Sequence, residues 1–287
     1  MNLDLYEFAN INRVGAATLD RETPPAREAP KTVVGEERTP AALTMFVRAP
    51  LRGASTPEWR QWSAVYLPPA VPPASRMIDV ILYLHGHRTG IPGARKTIWA
   101  YLKHKCWPLR EHLAASGKAA VLIAPTLGPK SESGTLLGPN GLDRYLEAVL
   151  SASRTYWTGS AVPAIRKIVL TGHSGAGVPM RLLANSTNAA AARIAEVWGF
   201  DCTYSARGNA DATGWARWAR SAPQSQLFIY YLRGAPTQNQ AASLRQARLA
   251  NVSVIESNAT TREGIHPHYW VPIQHWGERL AASRALR

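Results

Sequence analysis

Only two cysteines occur in the 287 residues, Cys106 and Cys202, and neither belongs to a Cys-x-x-Cys pair. Zinc-ribbon and thioredoxin-type chemistry therefore has no support, and the pattern predicts two buried thiols in a reduced compartment rather than a disulfide. No apolar stretch reaches the roughly 20 residues of a membrane span. The opening MNLDLYEFANINR lacks the basic start, apolar run and small-residue cleavage site of a signal peptide. A soluble, cytoplasmic protein is the default expectation. Acidic residues are scarce, 19 Asp+Glu against 33 Lys+Arg, for a formal net charge of +14. The basic residues are mostly Arg (26 Arg, 7 Lys), scattered singly rather than gathered into the dense clusters of a polyanion patch. The charge reads as a surface bias, with no specific nucleic-acid partner.

What is present is enough apolar material for one large core. Hydrophobic residues make up 46% of the chain, and a domain of this length buries roughly three quarters of its unfolded surface. Residues 1–41 hold Pro24, Pro25, Pro30 and Pro40 among charged and small residues, and read as an extended or partly disordered arm. From 42 to 287 the texture is that of a single catalytic-sized domain. Leu43–Arg48 and Trp62–Leu67 predict two strands. Met77–Leu84, Ala119–Ala124, Lys167–Leu170, Ile194–Phe200, Gln226–Leu232 and Val252–Glu256 are short apolar runs. Helical spacing recurs over Lys96–Ser116, Leu142–Ser153, Val178–Ala195, Trp215–Arg220 and Gln240–Ala250. Buried strands alternating with helices predict an α/β fold with a mostly parallel central sheet and helices on both faces.

One run ends in chemistry. Ile168-Val169-Leu170 passes into Thr171-Gly172-His173-Ser174-Gly175-Ala176-Gly177, and a helical segment follows. A serine hydroxyl is a poor nucleophile until a base takes its proton and a sharp turn exposes its oxygen. Such a turn has no room for large side chains two residues either side of the serine, where Gly172 and Ala176 stand. The helix start also directs backbone N–H groups, beginning at Gly175, toward a developing oxyanion.

This stretch resembles the nucleophile elbow of the α/β-hydrolases, Gly-x-Ser-x-Gly between strand and helix, with Ala176 in place of the last glycine. The resemblance covers about residues 62–275, in the order strand, strand ending in His-Gly, helix, strand, helix, elbow, three strands and a late histidine. It implies that Leu84-His85-Gly86-His87 supplies the second oxyanion donor, the backbone N–H of His87. It also implies a triad in the chain order Ser, acid, His. Between the elbow and the late histidines the carboxylates are Glu196, Asp201, Asp211, Glu256 and Glu263. Asp201 directly follows an apolar run, at the sheet edge where active sites form, and is the chosen acid, with Glu256 in reserve. For the base, His268 in His-x-x-Val-Pro is preferred to His266, whose backbone is restricted by Pro267. His275 lies further on.

The resemblance implies a serine hydrolase acting on carboxylic esters through an acyl-enzyme, with a small-molecule ester as substrate and no cofactor or metal required. Peptidase, amidase or thioesterase activity would use the same machinery. A metal-dependent hydrolase built on His85/His87 and His266/His268 is the runner-up, and a non-catalytic polyanion-binding protein a third reading. Residues 129–140 are expected near the mouth of the site. Trp215, Trp218, Trp270 and Trp276 are candidates for an aromatic pocket, although core packing is the commoner role of such residues.

Overall fold

The computed structural model describes residues 33–38, 42–49, 51–54, 61–87, 98, 102, 108–158, 162–204, 210–262 and 266–287. Nine strands form one sheet in the order β1-β2-β3-β5-β4-β6-β7-β8-β9. They are β1 (Val33–Arg38), β2 (Leu43–Arg48), β3 (Trp62–Leu67), β4 (Met77–Leu84), β5 (Ala120–Pro125), β6 (Ala164–His173), β7 (Ile194–Phe200), β8 (Gln226–Leu232) and β9 (Val252–Ser257). β1, β2, β3 and β5 pair antiparallel at one edge. From β5 across β4, β6, β7 and β8 to β9 every pairing is parallel.

Six helices cover the sheet among the described residues: α1 (Leu109–Ser116), α2 (Gly141–Ala152), α3 (Gly177–Ala184), α4 (Ala210–Ser221), α5 (Gln238–Gln246) and α6 (Pro267–Ala282). One core lies between the sheet and α2–α5. It holds Leu82 and Leu170 from the strands with Leu146, Met180, Trp215 and Leu244 from the helices. The second, under α1 and α6, gathers Ile81, Val169 and Trp198 against Leu113, Val271 and Trp276. Both faces of β5 are covered, and all six of its residues are buried. That accounts for unbroken apolar runs where a one-sided sheet would alternate. Leu142, Tyr145, Leu146 and Val149 turn one face of α2 into its core, each aliphatic side chain contributing about 2 kcal/mol of burial.

The sheet begins before residue 42. Val33–Arg38, within the segment read as an arm, forms β1, paired to β2 in a register running from Val33 opposite Val47 to Arg38 opposite Leu43. Residues 1–32 lie outside the described residues. The helix expected over Val178–Ala195 is shorter: α3 stops at Ala184, a 3-10 turn spans Ala189–Arg193, and β7 opens at Ile194. Within Lys96–Ser116 the described residues are 98, 102 and 108–116, and α1 covers the end, with Pro108 immediately before the first helical residue. Trp215, Trp218 and Trp276 are core residues rather than pocket walls. No helix among the described residues is long and apolar enough to cross a membrane.

Candidate active site

β6 ends at His173, and the next residue reverses the chain. Ser174 has φ +56°, the left-handed region that non-glycine residues seldom occupy. It opens a 3-10 turn, Ser174–Ala176, that runs into α3. The crowding expected of this turn is real: a Cβ on Gly172 would come within 2.6 Å of the Leu84 carbonyl and 2.8 Å of the Ala176 Cβ. Ser174 and Gly175 are partly exposed, so the hydroxyl stands at the surface of the sheet edge.

Gly86 backs onto this turn. A Cβ there would lie 2.7 Å from the Ser174 Cβ and 2.9 Å from the His173 carbonyl. The His87 ring rests over Gly175, where a Cβ would fall 1.9 Å from its Cδ2. The backbones bearing the two expected oxyanion donors are thus neighbours. Burial lowers the pKa of the His87 imidazole below its ordinary value, with the Glu132 carboxylate opposing the shift.

His85 is fully buried and both its ring nitrogens are engaged. Nε2 accepts from the Leu127 N–H at 2.8 Å, so the proton sits on Nδ1 and is donated to the Gly86 carbonyl at 2.8 Å. That carbonyl and the His87 N–H belong to one planar peptide, so the His85 ring sets the plane in which the His87 N–H points. Ser131 steadies the same turn by donating to the His85 carbonyl at 3.1 Å. Residues 129–140 lie against this turn, with Ser131, Ser133 and Leu136 buried and Lys130 exposed.

Asp201 follows β7 immediately. It too is left-handed, at φ +43°, and is buried. Its Oδ2 meets His268 Nδ1 at 2.6 Å. Its Oδ1 accepts from the Thr237 hydroxyl and, at 3.4 Å, from the Leu232 N–H. The carboxylate is thereby aimed at the imidazole from the far side. His268 sits in the first turn of α6, and His173 ties it to the elbow. The His173 Nε2–H donates to the His268 carbonyl at 3.0 Å, and the two rings lie 4.2 Å apart. Burial drives the His173 imidazole well below its usual pKa, and the neighbouring His268 adds to the shift.

The other candidates go elsewhere. His266 is the N-cap of α6, its Nδ1 accepting from the His268 N–H at 3.2 Å. Glu256 pairs with Arg233 at 2.7 Å and accepts from the Tyr231 hydroxyl. His275 meets Ser257 and Glu278. Among the described residues no three His, Cys, Asp or Glu side chains cluster as metal ligands, and both nitrogens of His85 are already taken. Cys202 is a free, buried thiol, whereas Cys106 lies outside the described residues.

Tyr204 and Thr237 escaped the sequence reading. Tyr204 follows Asp201 by three residues, and its hydroxyl lies 3.5 Å from His268 Nδ1. Among the described residues no direct hydrogen bond joins Ser174 to His268. Beside them opens a cleft of about 670 Å³, walled by Tyr204, Arg233, Pro236, Ala259, His268 and Tyr269 among others.

The fold matches that of a solved hydrolase. An S-formylglutathione hydrolase from Agrobacterium tumefaciens superposes with a TM-score of 0.53 at 12% identity, over 87% of this chain and 97% of that one. The fold is that of the α/β-hydrolases. A feruloyl esterase module from Clostridium thermocellum gives a TM-score of 0.49 at 12% identity, over 92% of each chain. No protein-family model matches the chain, and no curated protein matches its sequence.

Proposed function

We propose that the protein is a serine hydrolase that cleaves carboxylic esters through an acyl-enzyme, with Ser174 as nucleophile, His268 as base and Asp201 as its orienting acid. The observation that carries this reading is the 2.6 Å contact of His268 Nδ1 with Asp201, made by a histidine tethered to the serine turn. The carboxylate accepts a hydrogen bond from Nδ1–H, which fixes the tautomer that leaves Nε2 with a free lone pair. On substrate binding, Nε2 removes the Ser174 proton as Oγ bonds the carbonyl carbon. The π electrons move to the carbonyl oxygen, which accepts from the N–H groups of Gly175 and His87. Each such donor is worth on the order of 3 kcal/mol of barrier. Collapse breaks the bond to the alcohol, which leaves with the proton from Nε2. Water then repeats the sequence and frees the acid. The resting separation of Ser174 from His268 accords with apo sites whose catalytic hydrogen bonds tighten only when substrate is bound.

The test is a panel of p-nitrophenyl esters of rising acyl length, run with a fluorophosphonate probe and peptide mapping of the label. Label on Ser174 and a loss of about 10³-fold or more in turnover for Ser174→Ala are expected. Near-wild-type turnover in Ser174→Ala overturns the reading.

A further inference from the structure

A second cavity lies at the other edge of the sheet, beside the first residues of β6, β7 and β8 and the last turn of α6. It measures about 480 Å³. Lys167, Arg279 and Arg284 line it, Glu196 is its one carboxylate, and Phe228 and Ala282 form apolar wall.

The carboxylates nearby are already committed. Glu196 Oε1 accepts from the Ser283 hydroxyl at 3.1 Å and from the N–H groups of Arg284 and Ala285 at 3.0 Å, and its Oε2 from the Trp198 Nε1–H at 2.8 Å. These bonds fasten the C-terminal segment to β7 and occupy both oxygens. Asp79, opposite Lys167 in the β4–β6 ladder, is paired with Arg166. Glu278, next to Arg279 in the chain, meets His275 instead. Among the described residues no ion pair engages Lys167, Arg279 or Arg284. Arg279 is the most informative of the three. It is only 8% exposed, its guanidinium carbon sits 3.7 Å from the centre of the Phe228 ring, and its Nε has no hydrogen-bond partner. The stack fixes the plane of the guanidinium but supplies no counter-charge. A cation buried without one is costly, and the cavity is where the missing anion fits.

We propose that this cavity binds a small phosphate monoester, with the phosphate held by Arg279, Lys167 and Arg284 and the organic part against Phe228 and Ala282. Three cations against one carboxylate leave a surplus of two positive charges, which matches a monoester carrying about two negative charges above pH 7. Arg279 offers planar N–H donors and Lys167 a compact point charge, the two ways in which side chains recognise phosphate. The volume exceeds that of phosphate alone, so room remains for the group esterified to it. α6 carries His268 in its first turn and Arg279 in its last, and no step of the proposed ester cleavage uses the cavity. The two readings therefore stand or fall separately.

The test is isothermal titration calorimetry of the full chain with phenyl phosphate, inorganic phosphate and succinate, at pH 7.5 and one ionic strength. We expect phenyl phosphate to fill one saturable site, with inorganic phosphate and succinate each about tenfold weaker or more. Arg279→Met and Lys167→Gln should each raise the phenyl phosphate Kd about tenfold or more. Arg220→Ala, which removes an exposed charge elsewhere, should leave it unchanged and so exclude general attraction to a chain of net charge +14. Without ligand, Arg279→Met should melt at least as high as the wild type, because it deletes a charge that lacks a partner. Phenyl phosphate should raise the wild-type Tm but not that of Arg279→Met. The absence of a saturable site, or binding that survives Arg279→Met and Lys167→Gln, overturns the inference. Equal binding of inorganic phosphate or succinate overturns the assignment to a monoester. Should Arg279→Met fail to melt cooperatively, Lys167→Gln and Arg284→Gln decide the matter, since neither side chain is buried.

Discussion

His268 Nδ1 and Asp201 Oδ2 meet at 2.6 Å across 67 residues of sequence. Asparagine tolerates the left-handed backbone that Asp201 adopts, so Asp201→Asn tests the charge and not the turn. We expect ester turnover to drop about 10³- to 10⁴-fold, because the amide no longer fixes the tautomer that leaves Nε2 free. Glu256→Gln removes the charge paired with exposed Arg233 while keeping an amide oxygen for the Tyr231 hydroxyl, and should leave turnover within about twofold. Equal losses in both variants would contradict the assignment.

The two histidines at the start of α6 separate cleanly. His266→Ala deletes an N-cap and should cost about 1 kcal/mol, read as a fall of about 2–4 °C in Tm, while most activity survives. His268→Ala should abolish turnover with little effect on melting. Melting curves and initial rates on the two purified variants check this, and the reverse pattern would make His266 the base.

His173 gives stability a pH dependence. Its buried imidazole stays neutral in the fold, whereas the unfolded chain takes up a proton as pH falls through about 6.5. The unfolded state then holds more protons, so stability is lost as pH drops from 7.5 toward 5. The loss reaches at most about 1.4 kcal/mol per pH unit for this group. Urea midpoints across that range should slope less steeply in His173→Gln, which keeps an N–H donor but does not titrate. An unchanged slope would show that the group responsible lies elsewhere.

Much of this was legible because it is local. The runs that became β4, β5 and β6 are apolar on both faces, and the Gly172–Gly177 turn carries its steric demands in adjacent residues. Asp201 was reached by a positional rule, the end of a strand at the active-site edge. Strand β1 was missed because VVGEER is short, charged and paired on one side only, so little apolar surface marks it. Tyr204, Thr237 and the tethers made by His85 and His173 leave no spacing signal. Each acts through a contact that exists only once the strand ends are side by side, such as Nε2 of His173 reaching a carbonyl 95 residues away.

The strained backbone at Ser174 carries a lesson for anyone hardening this protein. A left-handed serine costs of order 1–3 kcal/mol, which glycine would recover without disturbing its neighbours. A campaign selecting only for heat endurance will therefore drift toward substitution at that position and, with Ser174 as the proposed nucleophile, its sturdiest winners are expected to be inert.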